Sequence, residues 1–383
     1  MLSRLHLHNF TVFEDADFNF SEGLNVLVGT NGTGKSHVLK VGYGVTYVVA
    51  NKALPNEVRA SASERGIKPS EQDFFPNEAN LEIQLKKLFL TGKIREVIRR
   101  GTDVNSAAVI LGKLGDDELT YSLPNWDFVD DPKLSGHSLH SGKRIGRPVF
   151  IPPKEVLSIY PGFAQLYQLR EISFDATYAY LCEQLAVPLL RELKGAQEKA
   201  LQSLEQLMSG TVRLDGNRFY FLPSNEAEQM TIDLAAEGVR KLGMLMQLLR
   251  NGSLTHETTL FWDEPEANLN PALLKKLAAV LAELARQGFQ IILATHSLFL
   301  LKEFHILSRQ KNASKLPIRY FGLNKPEDQP NAPVVVTAVD DFELLPDIVA
   351  LDEELAQAEK LEDIFAAEDN PSASDSDADA AHR

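Results

Sequence analysis

Three observations predict an α/β fold with a largely parallel sheet. A short apolar strand, Leu24 to Val28, runs into a glycine-rich loop and then a helix from about Lys35. A second apolar strand, Thr259 to Trp262, ends in Asp263 and Glu264. Beyond it the pattern alternates, with a helix after Pro271 and a strand from Gln290 to Ala294. Short apolar runs bounded by turn residues suit strands buried on both faces. Strand–helix alternation is the mark of parallel pairing.

The other elements follow in chain order. Leu2, Leu5, Leu7 and Phe10 predict an N-terminal strand, with His6 and His8 on its exposed face. Phe18 to Phe20 predicts a second strand. Leu81 to Leu90 alternates in part and reads as a strand. Ser106 to Leu123 predicts a hairpin turning at Gly115-Asp116-Asp117, and Ser135 to Arg147 a mobile loop. Asp175 to Met208 holds helix formers at helical spacing and breaks near Pro188, which predicts two helices. Their heptads are too short for an extended coiled coil. Val212 to Phe221 predicts a hairpin centred on Asp215-Gly216, and a helix begins near Glu237. The expected organisation is a discontinuous core of residues 1–50 and 211–340 and an inserted, partly helical lobe of residues 51–210. An acidic helix (341–366) and a disordered acidic tail (367–383) follow.

Composition narrows the class. Of 383 residues, 44% are hydrophobic and 24% charged, as in a chain that buries a substantial core. No run of 18 uncharged apolar residues occurs, so no membrane span or membrane partner is expected. The single cysteine, Cys182, rules out an internal disulfide and fits a reducing cytoplasm. The net charge of −14 is concentrated at the end of the chain. Residues 340–383 hold 15 acids against Lys360 and Arg383, which leaves the body near neutral. Two basic runs, Lys86, Lys87, Lys93, Arg95, Arg99, Arg100 and then Lys143, Arg144, Arg147, are a candidate DNA surface, with a solvated face as the plain alternative.

The chemistry lies at the ends of the predicted strands. Gly29-Thr30-Asn31-Gly32-Thr33-Gly34-Lys35-Ser36 fits the P-loop pattern GxxxxGK[ST], set between a strand and a helix as that pattern demands. Glycines turn backbone N–H groups toward phosphate oxygens, and the helix N-terminus favours anions. Lys35 is expected on the β- and γ-phosphates of ATP and Ser36 on Mg²⁺. Asp263 is expected to hold the same metal, with Glu264 as general base or orienter of the attacking water.

Together these residues resemble the ABC-type ATPases. The opening Leu5-His6-Leu7-His8-Asn9-Phe10 and the Gly23-Leu24-Asn25 lead into the P-loop are similar to the RecF, SMC and overcoming-lysogenization-defect branch. The resemblance implies an ATPase head with a mixed sheet and helices. It implies a D-loop in Pro265-Glu266-Ala267-Asn268-Leu269-Asn270-Pro271 and a switch histidine at His296. It also implies a signature segment around Glu237, Gly238 and Arg240, which faces the γ-phosphate held by a partner copy. The usual signature serine is absent, Ala235 and Ala236 standing in that stretch. The Q-loop glutamine has two candidates, Gln165 and Gln168. The stretches 150–158, 161–163, 236–241 and 349–355 resemble a narrower group, the stand-alone ATPases of two-component phage-defence systems such as PARIS and Septu. That likeness implies a homo-oligomer controlling a separately encoded effector, a nuclease in such systems. A DNA-repair or chromosome-maintenance ATPase is the alternative. A transporter subunit fits worst, because more than 200 residues separate Ser36 from Asp263.

Overall fold

The computed structural model describes residues 1–52, 81–101, 107–123, 137–138, 145–169, 172–193, 195–225, 228–310, 314–326, 332–346, 357, 360–361 and 364–365. The disordered tail and most of the acidic helix expected before it lie outside these, as do Lys143 and Arg144.

The N-terminal third contains β1 (Leu2–Phe10), β2 (Phe13–Asn19), β3 (Leu24–Gly29) and α1 (Lys35–Lys52). After α2 (Leu81–Phe89) come β4 (Ala108–Leu114), β5 (Asp117–Leu123), β6 (His137–Ser138) and β7 (Val149–Ile151). The middle is α3 (Tyr160–Leu169), α4 (Ala176–Leu185), α5 (Ala196–Met208), β8 (Gly210–Asp215), β9 (Arg218–Pro223) and β10 (Met230–Thr231). The last part is α6 (Glu237–Arg250), β11 (Thr259–Asp263), α7 (Pro271–Arg286), β12 (Gln290–Thr295), α8 (Leu298–Ser308), β13 (Ile318–Asn324) and β14 (Val335–Val339).

Six strands form the central sheet in the order β14-β13-β3-β12-β11-β7. The pairings from β13 to β7 are parallel and only the edge strand β14 is antiparallel. Alternate residues of these strands serve opposite faces, as the period of a strand dictates. Leu24, Val26, Leu260, Trp262, Ile291 and Leu293 pack with helices α5, α6 and α7. Leu27, Phe261, Ile292 and Ala294 pack with α1 and with a second, antiparallel sheet ordered β2-β1-β4-β5-β6. Each fully buried aliphatic or aromatic side chain contributes about 1.5–3 kcal/mol, so the two-sided core fixes the central strands firmly. Among the described residues no helix is long and apolar enough to cross a membrane.

Two expectations need correction. Residues 81–89 are helical rather than extended. Leu81, Gln84, Leu85 and Leu88 are buried, the i, i+3, i+4, i+7 pattern of a helix face, and partial alternation in a short apolar run had imitated a strand. The boundary expected at residue 51 runs through a sheet, because β4 pairs with β1 over Leu2–His8 and β7 pairs with β11. Strand pairing is set by distant partners, so no local change of composition marked it. The hairpins at 108–123 and 210–223 and the helices on either side of Pro188 form as expected.

Candidate functional site

Three parallel strands deliver the site. In the sheet Val28 lies beside Thr295, and Ala294 beside Asp263. The tips of β3, β12 and β11 therefore stand side by side, with the P-loop, His296 and Glu264 leaving from them. Ligands of open α/β sheets collect at such carboxyl ends.

The P-loop is shaped for phosphate. Gly32 and Gly34 have φ of +81° and +88°, a region that L side chains avoid. A Cβ on Gly34 would also stand 2.7 Å from Val12 Cγ2. Thr33 Oγ1 donates to Thr30 O at 2.9 Å, closing the loop on itself. Lys35 Nζ donates to the carbonyls of Gly29 and Thr30, each at 2.8 Å. Burial lowers the pKa of this ammonium, and Asp263, Glu264 and Glu266 oppose the shift. An anion entering the loop would pair with a cation now held only by carbonyls, so the residues fit a phosphate chain.

Asp263 fits a metal ion. Burial pushes its carboxyl up to about 6, against the hydroxyl of Ser36, which hydrogen-bonds it and pulls the other way. A buried carboxylate beside a hydroxyl suits Mg²⁺, which keeps water and phosphate as its other ligands. Among the described residues no group of three or more His, Cys, Asp or Glu is arranged to hold a metal alone, in keeping with a site completed by nucleotide.

Glu264 follows with φ of +48° and its N–H bonded to Ala294 O at 3.0 Å. Its carboxylate Oε1 is 3.9 Å from His296 Nδ1. His296 is half exposed, and its Nδ1 also lies 3.4 Å from Glu266 Oε1. Glu266, read in the sequence only as part of the expected D-loop, fixes this corner. Its Oε1 accepts from Thr295 Oγ1 at 2.7 Å and from the His296 N–H at 2.9 Å. Asn270 caps α7 and Ser297 caps α8, so the loops on both sides of this corner end in defined helix starts.

The expected signature residues behave differently. Their side chains turn into their own chain. Glu237 Oε1 accepts from Asn268 Nδ2 at 2.9 Å. A Cβ on Gly238 would meet Leu273 Cδ1 at 2.6 Å, so this glycine permits close packing of α6 on α7. Arg240 Nε lies 2.9 Å from Glu155 Oε1, an ion pair just beyond the tip of β7, and its Nη1 donates to Ala235 O. The charge of Arg240 is thus neutralised within the chain rather than offered to a ligand. What α6 presents is its terminus, where Ala236 sits at the N-cap with no side-chain cap. Gln165 and Gln168 are exposed on α3 and are not brought to the strand tips. Pro152 to Glu155 follow β7 there.

The basic runs are partly spent. Lys86 pairs with Glu82 at 2.6 Å and Arg99 with Glu14 at 3.6 Å. Arg147 covers Tyr47 and Tyr180, 5.1 and 5.6 Å from their ring centres, and pairs with Glu183. Beside the first turn of α1 a cavity of about 510 Å³ is lined by Thr11, Val12, His37, Phe89, Arg100 and Lys325. Thr11 Oγ1 and His37 Nδ1 are buried there without hydrogen-bond partners. Burial, then Lys40, lowers the His37 imidazole to about 4.

Comparison with known proteins agrees with this geometry. Residues 131–302 match the family described as "AAA domain, putative AbiEii toxin, Type IV TA system", and residues 4–105 match a second AAA domain. No curated protein matches the chain. Among solved structures, an SMC head bound to the C-winged helix domain of ScpA is 12% identical with a TM-score of 0.52. That match covers 89% of this chain and 98% of the SMC head. The SMC head domain of Thermotoga maritima is 14% identical with a TM-score of 0.42, over 88% and 98%. The fold is that of the SMC head in the first of these structures, and the two AAA-domain matches fall on the segments that carry the P-loop and the Asp263-Glu264 strand end.

Proposed function

We propose that this chain binds ATP with Mg²⁺ and hydrolyses it between two copies arranged head to tail. Its role in this reading is that of the motor or sensor subunit of an anti-phage defence system, controlling a separately encoded effector. The observation that carries the hydrolytic part is the convergence of the P-loop, Asp263-Glu264 and His296 on three adjacent strand tips. The uncapped start of α6 supports the shared site. The family description that names an AbiEii toxin of a Type IV toxin–antitoxin system supports a setting with a second component.

In this reading the P-loop amides and Lys35 hold the β- and γ-phosphates. Ser36 and Asp263 hold the divalent cation, which when bound neutralises charge on the phosphate oxygens. The cavity beside α1 receives the ribose and base, where Thr11 and His37 supply polar atoms now without partners. Glu264 orients water for in-line attack on the γ-phosphorus and takes its proton. His296 turns its ring to the γ-phosphate. The start of α6 from the partner copy meets the same phosphate with backbone N–H groups and a helix dipole. Closure thus depends on ATP, and hydrolysis releases it.

Glu264→Gln tests this. The variant keeps the size of the side chain and loses the base, so kcat should fall by ~10²–10⁴ while ATP binding persists. Light scattering should then find an ATP-dependent dimer or larger assembly. A variant that stays monomeric with ATP overturns the shared site. Purified from its own operon, the trapped form should carry a co-encoded protein that wild type releases. A bare ATP dimer retaining only DNA would instead favour direct action in DNA repair.

A further inference from the structure

The loop that carries the proposed general base is left-handed at both ends. Glu264 has φ of 48° and Asn268 φ of 60°. Asparagine tolerates that region, but glutamate holds it only where its surroundings do. Helix α6 supplies the hold. Lys241 is fully buried, and its Nζ donates to Ala267 O at 2.6 Å and reaches Glu264 O at 3.5 Å. One turn earlier, Glu237 accepts from Asn268. Residues four apart share a helix face, so one face of α6 grips both ends of this loop. Gly238, between them, lets that face approach closely.

A buried ammonium is costly unless its charge is answered. Here two carbonyls bond it directly, and Glu237, Glu266, Glu264 and Glu155 lie close enough to favour its charged form against burial. A methionine would fill the same volume. It would leave the part-buried Ala267 carbonyl without its donor.

We propose that Lys241 is a positioning residue that pins the Glu264–Asn268 loop in its working shape. It thereby ties the α6 terminus, offered to a partner copy, to the hydrolytic site of its own copy. The second clause rests on the head-to-tail reading; the pin does not. Nucleotide engaged on the partner would press on α6, and Lys241 carries that change to the backbone of Glu264.

The test compares Lys241→Met, Lys241→Arg and Asn268→Ala in the full chain. Hydrogen exchange should lose protection across 264–270 in Lys241→Met while the central strands stay protected. Binding of a fluorescent ATP analogue with Mg²⁺ should change by less than about threefold. kcat should fall ~30- to 100-fold, the scale of a 1 Å misplacement, with KM nearly unchanged. Arginine should restore part of it. The exposed Asn268→Ala should lower kcat about fivefold. Unchanged exchange and kcat within twofold in Lys241→Met overturn the pin. Should that variant fail to fold, Asn268→Ala decides, and its unchanged kcat and exchange overturn it equally. Failure of the Glu264→Gln background to dimerise with ATP sinks the head-to-tail reading alone. The exchange result still decides the pin.

Discussion

Two helix N-termini lie close to the tips of the central strands, α1 after the P-loop and α6 against the 264–268 loop, and they are built in opposite ways. At α1 side chains join the loop amides. Lys35 and Ser36 turn into the loop, Lys35 bonds its carbonyls, and Ser36 bonds the carboxylate of Asp263. At α6 the side chains turn away, Glu237 to Asn268, Arg240 to Glu155 and Lys241 to the loop after Glu264. Only the backbone is left at its surface, under an uncapped Ala236. The difference teaches that a site made of side chains announces itself in sequence, whereas a site made of amides leaves letters that describe internal packing.

Removing the cation at the first terminus should have the largest effect on nucleotide binding. Lys35→Ala deletes the charge that a phosphate chain would meet, a loss of roughly 2–4 kcal/mol or about 30- to 1,000-fold in affinity. Arg240→Ala at the second terminus should change nucleotide affinity of the isolated chain by less than about threefold, because its partner is Glu155. Titration calorimetry with a non-hydrolysable ATP analogue compares the two. An equal loss in both variants would erase the distinction.

The same contrast explains what could be read beforehand. The P-loop, Asp263-Glu264 and His296 were legible because each sits in a short segment whose neighbours, strand before and helix after, are also local. Glu266 and Lys241 were not, since each acts through the backbone of residues 26 to 30 positions away. The contacts of Glu237, Gly238 and Arg240 were not legible either, because Asn268, Leu273 and Glu155 come from elsewhere in the chain. The helix at 81–89 was misread because four buried positions in nine residues suit two periods until the facing surface is known.

Electrostatics sharpens the comparison further. Asp263 titrates near 6 when folded, against about 3.8 unfolded. The folded state thus binds its proton more tightly, and ionising it destabilises the fold. The penalty is absent below about pH 3.8, grows through the folded value and is complete above about pH 6. Without nucleotide or Mg²⁺, Asp263→Asn should therefore stabilise the chain by about 1–3 kcal/mol at pH 7.5, and by less at pH 5. Added Mg²⁺ with nucleotide should reverse the ranking, because only the aspartate gains a cation. Thermal unfolding at the two pH values reads the difference. A variant less stable than wild type at pH 7.5 without ligand would mean that the carboxylate is already compensated.

The smallest effect falls at the uncapped terminus. Ala236 has φ −57° and ψ 146°, extended dihedrals that an N-cap serine adopts without change. A hydroxyl there accepts from the amide two or three residues into the helix, where the alanine side chain offers nothing. Ala236→Ser should stabilise the isolated chain by about 0.5–1.5 kcal/mol, a Tm rise of roughly 1–3 °C at this size. No such gain is expected at α7 or α8, where Asn270 and Ser297 already accept from the amides of Leu273 and Leu300. A flat or lower Tm for Ala236→Ser would mean that the start of α6 is satisfied within the chain, and the contrast between the two termini would then fail at its structural root.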